Sequence, residues 1–468
     1  MGGRYHSPVR RPPRIVVLVA NPITYDGRVR RHASTLVEAG YDVTVIGVIG
    51  PNDRADPPIG VGAPTTSGGT GSPPWHYQRI DRRRVGIVPR LRWLQSAARQ
   101  RLAHAAFLGL SRWLPNELSR SPAALAQVQL AGLSVATSAP ELAFAALRQR
   151  PQLIYANDLD TLPAAAWAAA ILRVPFVYDA HEVYVDEYPE LGAEQRQARA
   201  CVEAHFVGQA AAVLTVNQLL ATDLSERYRL PLPSVVRNLP QNLPCESLRP
   251  PVQRPLGDEG SLRLLYHGAH IGLSQHGVDD LLRALQRLRQ PGPGQLQVAL
   301  TLRGGLLPDE ERALRARIDS LGLQAAVHIA PPVPGAEALV SAAVADGAEV
   351  GLAVHPPLCL SYVYTTSSKV YEYQLAGLAV CASDVLGNRH SVAPQAGVFY
   401  VAGDDAGLAD CLRPLARDRQ LLRRMQQSAY EHAVRHLRWQ DEKQPLLQTV
   451  ARSLAGSPLT SAAAAGLR

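Results

Sequence analysis

One short segment, residues 365–384, combines residue types that could bind a phosphorylated ligand. Its sequence, TTSSKVYEYQLAGLAVCASD, predicts a helix over residues 369–376 followed by a buried strand. Lys369 would add a positive charge in the first turn, and Glu372, one turn later, could accept hydrogen bonds from a ribose diol. Hydroxyl residues before the helix suit its N-cap, where backbone amides attract phosphate; they are Thr366, Ser367 and Ser368.

Polar residues also follow three predicted strands of the first half, at 14–20, 152–156 and 174–178. In open α/β sheets, ligands bind beyond the carboxyl ends of the strands, so these residues predict the rim of a cleft. The six are Asp26, Arg28, Asn157, Asp158, His181 and Glu182. Structural alternatives stay open, because Asp26 and Arg28 could cap and pack a helix, and His181 could be satisfied within its own loop.

The elements that must position these residues alternate between strand and helix along the chain. Residues 14–46 predict a strand, a loop, a helix and a second strand, which is the opening of a doubly wound sheet. A second α/β series follows a proline-rich stretch, so the sequence predicts two domains with parallel sheets. The predicted divisions are a first domain at 14–237 with a flexible insertion at 51–74, a linker at 238–260, a second domain at 261–438, a closing helix at 439–455 that could pack back on the first domain, and disordered ends at 1–13 and 456–468.

Missing motifs exclude several classes of function. The chain has no G-x-G-x-x-G after its first strand, no G-x-x-x-x-G-K-S/T loop and no H-E-x-x-H pair. These absences argue against a dinucleotide cofactor, P-loop chemistry and a zinc-protease site. Five widely spaced cysteines argue against disulfides and structural zinc, so no metal is expected. The 48 basic residues are scattered rather than clustered with aromatic residues, which argues against nucleic acid as a partner.

The sequence contains one segment that could meet a membrane surface. No apolar run approaches the roughly 18 residues that span a bilayer, and the N-terminus lacks the apolar core of a signal peptide. A cytoplasmic protein is therefore expected. Residues 90–114 form a basic amphipathic stretch, which predicts a helix that lies either on its own domain or on an anionic membrane surface, such as the inner face of the cell membrane.

Several pieces of the sequence, taken in order, resemble the retaining glycosyltransferases of the GT-B fold, specifically glycosyltransferase family 4. Residues 365–384 resemble the family's nucleotide-sugar signature. The other pieces, all outside residues 51–120, are NPITYDGRVRRHASTLVEAGYDVTVIG, YANDLDTLPAAA, VYDAHEVYVDEYPEL, VVRNLP, YHGAHIGLSQHGVDDLLRAL and LRWQDEKQPLLQTV. The resemblance implies an α/β architecture with two Rossmann-like domains facing each other across a cleft. The nucleotide-sugar donor would bind the second domain and the acceptor would enter from the first.

The resemblance also implies two catalytic residues. Glu372 matches the second glutamate of the family's E-x7-E pair and would hold the ribose. His181 matches the cleft histidine and would hydrogen-bond the donor sugar and stabilise developing charge. The first glutamate of the pair falls at Tyr364 in this sequence, which implies altered sugar recognition.

Two basic residues that bind the diphosphate in most relatives are replaced here. Their places are taken by His270 and His276, whose alternative role is simply loop surface. A phosphate neighbour could keep an imidazole charged. Lys369 and Arg303 are expected to compensate for the missing pair.

The implied activity is transfer of a hexosyl group from a nucleotide diphosphate sugar, acting as co-substrate, with retention at the anomeric carbon. No cofactor is expected. The acceptor would be a glycan, a lipid-linked compound or a small molecule, as in the synthesis of polysaccharides or secondary metabolites. Two alternatives are left open by the sequence. One is a nucleotide-sugar epimerase of the same fold, and the other is a non-catalytic subunit, which Tyr364 and the missing basic pair favour.

Overall fold

The computed structural model describes residues 11–24, 26–50, 74–81, 138–241, 243, 250–273, 277–292, 294–333, 335–364 and 366–456. The predicted amphipathic segment 90–114 lies outside the described residues. The predicted insertion also lies outside them, except for its last residue, Pro74. The same holds for the predicted disordered ends, of which only residues 11–13 and 456 are described.

The first domain is built on a seven-stranded sheet in which every pairing is parallel. Its strands are β1 (Arg14–Leu18), β2 (Asp42–Ile49), β3 (His76–Asp81), β4 (Leu153–Asn157), β5 (Phe176–Ala180), β6 (Ala212–Thr215) and β7 (Ser234–Val235), in the spatial order β3-β2-β1-β4-β5-β6-β7. The β1 sequence RIVVL explains its central place, because alternate residues enter the apolar clusters on opposite faces of the sheet.

In the first half of the chain, the described residues form five helices around this sheet. They are α1 (Gly27–Glu38), α2 (Ala139–Gln149), α3 (Leu162–Leu172), α4 (Ala193–Val207) and α5 (Gln218–Tyr228). The α1 sequence shows why such helices form: Val29, Ala33 and Leu36 recur on one buried face, and Asp26 caps the helix by accepting a hydrogen bond from the Val29 amide.

The second domain repeats the design with six parallel strands. They are β8 (Ser261–His270), β9 (Gln297–Gly305), β10 (Val327–Ala330), β11 (Val350–Ala353), β12 (Ala379–Ser383) and β13 (Gly397–Tyr400), in the order β10-β9-β8-β11-β12-β13. Its helices are α6 (Val278–Arg289), α7 (Pro308–Ser320), α8 (Ala336–Ala345), α9 (Leu360–Tyr364), α10 (Ser368–Leu375), α11 (Leu386–Ser391), α12 (Asp405–Arg417) and α13 (Arg419–His436). Two doubly wound sheets confirm the predicted fold class.

The closing helix α14 (Trp439–Leu454) packs on the first domain. Trp439 donates its indole N–H to Thr35 Oγ1 at 3.1 Å and stacks on His32. Arg237, at the point where the chain leaves the first domain, forms an ion pair of 2.6 Å with Glu442. The two segments that cross between the domains are therefore bound to each other.

Each sheet has a switch point, where the strand order reverses direction. It lies between β1 and β4 in the first sheet and between β8 and β11 in the second. Connections leave the two strands of such a pair toward opposite faces, which opens a crevice beyond their carboxyl ends. Residues that follow β1, β4, β8 and β11 are therefore placed where ligands bind in this class of fold.

Some elements had no prediction from sequence. The edge strand β3 has the sequence HYQRID, which lacks an apolar run, and it is held by its register with β2 (Thr44↔His76). The helices α2, α4 and α5 also had no prediction from sequence. Within the described residues, no helix is both long enough and apolar enough to cross a bilayer.

Candidate active site

Glu372 lies at the switch point of the second sheet, on α10. Its side chain is almost buried, with 6% of the residue exposed, and its Oε2 is 2.5 Å from Nε2 of His267 on β8. The neighbouring Tyr373 fixes the helix to the sheet, because its hydroxyl accepts from the His267 amide at 3.1 Å and donates to the Leu352 carbonyl at 3.1 Å. The predicted ribose-binding carboxylate is thus held by an imidazole that sequence reasoning did not select.

Gly351 on β11 lets α10 come this close to the sheet. A Cβ added at residue 351 would lie 2.1 Å from Cγ of Tyr373. The aromatic ring therefore occupies the space that any larger residue would need. The position of Glu372 therefore depends on glycine at residue 351, which has no side chain, as well as on hydrogen bonds.

The other predicted residues around α10 have mixed outcomes. Lys369 is in the first turn, and its Nζ is 4.6 Å from the ring centroid of Tyr266. Ser367 is the N-cap by backbone position but forms no side-chain capping bond, and Ser368 is the first helical residue. Thr366 instead bonds to α11, with its Oγ1 2.6 Å from Ser391 Oγ. Only Lys369 among them supplies a charge near the helix start.

The three other residues predicted to bind the diphosphate do not form one group in the structure. His270 lies at the end of β8, and its Nε2 is 2.8 Å from Oε1 of Glu310. Arg303 is engaged by other partners, since it donates to Asp346 Oδ2 at 2.5 Å and to the Pro331 carbonyl at 3.1 Å. His276 lies outside the described residues.

The first domain holds a buried network of ionisable groups below its cleft rim. Arg28 reaches from α1 to Asp179 on β5 and donates to both carboxylate oxygens, at 2.7 and 3.1 Å. Tyr155 donates to the same carboxylate at 2.9 Å. Burial opposes the charge on Asp179, but Arg28 and His181 outweigh it and hold the pKa of Asp179 well below its usual range.

His181 lies between two carboxylates. Its Nδ1 is 2.7 Å from Asp158 Oδ1, and its Nε2 is 3.1 Å from Asp179 Oδ2, an ion-pair distance without hydrogen-bond geometry. Burial alone would lower the pKa of His181, but Asp158 and Asp179 outweigh it and raise the pKa to about 10. At neutral pH, His181 is therefore a cation and not a base. The two cations, Arg28 and His181, balance the two carboxylates, so the four groups together carry no net charge.

Asp158 occupies an unusual backbone conformation at the end of β4, with φ of 67°. Residues other than glycine rarely adopt this region, and such strain is held in place by surrounding contacts. Tyr184 supplies one of them, since its hydroxyl donates to Asp158 Oδ1. The side chain of Asp158 is 28% exposed, so it is the member of the network that faces the cleft.

Three other residues predicted for the rim are engaged in packing or in contacts between the domains. Asp26 caps α1, and Asn157 is fully buried and donates to the Leu18 carbonyl at 3.0 Å, which ties β4 to β1 at the switch point. Glu182 accepts a hydrogen bond from Ser361 of the second domain. Tyr364 packs against the apolar core of the first domain, and its carbonyl accepts from Asn217 at 2.8 Å.

Residues from the two domains thus share one cleft. Arg31, on α1 of the first domain, lies close enough to Glu372 of the second to interact with it electrostatically. Its guanidinium donates to Asn238 and lies 5.6 Å from the ring centroid of Trp439. Within the described residues, no group of three or more histidine, cysteine, aspartate or glutamate side chains could hold a metal ion.

Several site residues were not identified from sequence. They are His267, Tyr155, Arg31, Tyr184 and Ser361. His267 lies in YHGAH beside the predicted His270, so the density of histidines there was a usable signal. The others act through contacts between distant parts of the chain, which no local pattern reveals.

Known protein families match both halves of the chain. A model described as "Glycosyl transferase 4-like domain" matches residues 26–238, and one described as "Glycosyl transferases group 1" matches residues 261–418. The matches follow each other in chain order and together span well over half of the chain. No curated protein sequence matches at a significant level.

Solved structures share the fold at low sequence identity. Sucrose-phosphate synthase from Thermosynechococcus elongatus superimposes with a TM-score of 0.61 at 16% identity, covering 95% of this chain and 100% of its own. A glycosyltransferase from Rickettsia africae gives 0.59 at 12%, covering 96% and 100%. Anabaena HepE in complex with UDP and glucose gives 0.59 at 16%, covering 94% and 99%. With glycosyltransferase models matching both domains and this two-domain architecture, the chain belongs to the glycosyltransferases of the GT-B fold.

Proposed function

We propose that this glycosyltransferase uses a nucleoside diphosphate sugar as donor and transfers the hexosyl group with retention, as in glycosyltransferase family 4. The observation that carries the proposal is the placement of Glu372. It is a nearly buried carboxylate at the switch point of the second sheet, held by His267 and four residues after the start of α10. A carboxylate in this place suits the two hydroxyls of a ribose.

The diphosphate would lie at the start of α10, where amides and Lys369 supply positive character. Within the part of the chain that the structure describes, no carboxylate lies within ion-pair distance of Lys369, so its charge is available to a ligand. Arg303 is committed to Asp346, and binding through His270 would require a change of partner from Glu310. Lys369 is therefore the primary diphosphate contact in this proposal.

The reaction replaces one bond at the anomeric carbon by another on the same face. The bond from the carbon to the diphosphate oxygen breaks, and a bond to the acceptor oxygen forms. The leaving diphosphate takes the negative charge and the proton released by the acceptor. The protein would position both substrates and stabilise the departing charge.

His181 takes part as a fixed charge in this proposal. Because its pKa is raised to about 10, it already carries a proton and cannot accept one from the acceptor. Asp158 is the more exposed carboxylate beside it and would face the acceptor. The acceptor class that we propose is a glycan, a lipid-linked compound or a small molecule bound to the first domain.

Thermal unfolding in the presence of nucleotides tests the donor site. UDP is the first probe, because HepE binds it, and GDP, ADP, dTDP and NAD complete the panel. A ligand at 100 times its dissociation constant stabilises a protein by about 2.7 kcal/mol. We expect a rise in the unfolding temperature with one diphosphate and none with NAD.

Glu372→Gln should reduce the rise in unfolding temperature caused by the diphosphate. The matched variant Glu431→Gln, on the exposed face of α13, should show the same rise as the wild type. Stabilisation by no nucleoside diphosphate would overturn the proposed donor site. Release of nucleotide together with an altered sugar, in the absence of any acceptor, would identify an epimerase instead. The anomeric configuration of the product, read by NMR, tests retention.

A further inference from the structure

A short segment of the second domain grips the first domain next to His181. We call residues 359–364 the clasp and residues 181–187 the His181 arm. The clasp contributes three hydrogen bonds besides those of Ser361. The Leu360 amide donates to Asp186 Oδ2 at 2.8 Å, the Cys359 thiol donates to the Glu187 carbonyl at 3.2 Å, and the Tyr364 carbonyl accepts from Asn217 at 2.8 Å.

Ser361 lies at the centre of this contact. It is 1% exposed, and its Oγ accepts from the Val183 amide at 3.3 Å while donating to Oε2 of Glu182. One hydroxyl therefore satisfies a backbone donor and a carboxylate of the opposite domain. This hydroxyl is costly to remove, since the buried Val183 amide would lose its hydrogen bond away from water.

The His181 arm transmits this contact to the site. The His181 amide donates to the Tyr184 hydroxyl at 3.3 Å, and that hydroxyl donates to Asp158. Asp158 in turn lies 2.7 Å from His181 Nδ1. An unbroken series of contacts therefore connects Ser361 with the charged pair at the cleft.

The clasp is also continuous with the proposed donor site. Tyr364 packs against the apolar core of the first domain, and α10, which bears Lys369 and Glu372, begins four residues later. The same stretch of chain therefore touches the His181 arm at one end and supplies the proposed nucleotide contacts at the other.

We propose that Ser361 is a positioning residue, which restrains the His181 arm from the opposite domain and adds to the first-domain contacts that hold His181 and Asp158 in place. This inference rests on the proposed function for its catalytic meaning. Its physical content, the dependence of the arm on one hydroxyl of the other domain, can be measured without any substrate.

Hydrogen exchange by mass spectrometry on the unliganded full chain is the first measurement. In Ser361→Ala, we expect exchange in the peptide covering 181–187 to be about tenfold faster, because the hydrogen bond to the Val183 amide is lost. Ser361→Thr keeps the hydroxyl and should restore protection. Ser320→Ala, which removes an exposed hydroxyl that donates to the Arg317 carbonyl of its own helix, should match the wild type.

Turnover of UDP-glucose gives the second measurement. Ser361→Ala should lower kcat about tenfold with the donor KM and the affinity for UDP unchanged, because the nucleotide contacts lie on α10. Unchanged exchange in Ser361→Ala, or equally fast exchange in Ser361→Thr, would overturn the proposal, and so would faster exchange with unchanged kcat. A wild type that neither binds UDP nor turns over UDP-glucose would count against the proposed donor alone, and the exchange result would still decide the role of Ser361.

Discussion

His267 and Glu372 meet across the switch point of the second sheet, with Nε2 and Oε2 2.5 Å apart. His267 comes from β8 and Glu372 from α10, so the pair joins the strand on one side of the crevice to the helix on the other. The imidazole engages one oxygen of the carboxylate, which leaves the other oxygen for the proposed contact with the ribose. The carboxylate is therefore oriented before a ligand arrives, which lowers the entropy cost of binding.

The first prediction concerns this pair. His267→Asn should weaken UDP binding about tenfold, because a hydrogen bond to a charged group is lost and Glu372 gains freedom. Isothermal titration calorimetry measures the effect. His328→Asn, on the exposed face of β10, is the matched control and should bind UDP like the wild type. Wild-type affinity in His267→Asn would show that His267 does not orient the carboxylate.

The second prediction concerns the buried pair of Arg28 and Asp179. Asp179→Asn should lower the free energy of unfolding by about 3–5 kcal/mol, because it leaves the guanidinium of Arg28 buried without its counter-charge. Urea denaturation gives the value. Asp223→Asn removes the partner of Arg227 on the surface of α5 and should cost less than about 1 kcal/mol. Equal losses in the two variants would contradict the role given to burial.

The third prediction concerns the two histidines of the same network. Burial and then Arg28 lower the pKa of His32 to about 4, whereas the carboxylates raise that of His181 to about 10. NMR of the histidine Cε1–H signals should therefore show no titration of either residue between about pH 5.5 and 8.5. A titration midpoint for His181 inside this pH range would show that His181 is not permanently protonated.

Linkage sets the direction of the pH dependence of stability. The folded pKa of His181 lies above its unfolded value of about 6.5, so its contribution is complete below pH 6.5 and is lost as the pH rises toward 10. For His32 the folded pKa lies below the unfolded value, so stability is lost as the pH falls from 6.5 toward 4. In urea denaturation across the pH range, His181→Gln should remove the alkaline loss of stability, and it should also weaken the hold on the pKa of Asp179 at the acid end.

The fourth prediction concerns Gly351. Gly351→Ala should destabilise the protein by about 1–3 kcal/mol, because the new methyl group would collide with Tyr373 and displace α10. It should also weaken UDP binding, since Glu372 moves with the helix. Gly208→Ala is the control, because an added Cβ there has no neighbour within 4 Å. Its stability should equal or slightly exceed that of the wild type, and thermal unfolding of both variants checks the contrast.

Local patterns predicted the fold and the helix that bears Lys369 and Glu372. The strand predicted at residues 14–20 (RIVVLVA) and the helix predicted at 369–376 came within one or two residues of β1 and α10, because burial on both faces and helical spacing are visible in a short window. The strand β3 was missed because pairing with β2 determines it. Tertiary neighbours override weak local preference in such segments.

The rest of the site depends on contacts that sequence spacing does not encode. Arg28 and Asp179 are 151 positions apart, and His267 and Glu372 are 105 apart. Sequence reasoning placed Arg303 near the donor, but the structure commits it to Asp346, because β9 directs that side chain toward the end of α8. A residue type can thus be identified from sequence, whereas its partner follows only from the packed fold.

The return of α14 to the first domain has a consequence for synthesis on the ribosome. Trp439 and Glu442 complete contacts with Thr35 and Arg237, yet they are translated about 200 residues after the first domain has emerged. At roughly 5–20 residues per second, that domain waits some 10–40 s with its α14-binding surface uncovered. Final maturation of the first domain is therefore coupled to completion of the second, and a nascent chain arrested before residue 439 should be a ready target for chaperones and proteases.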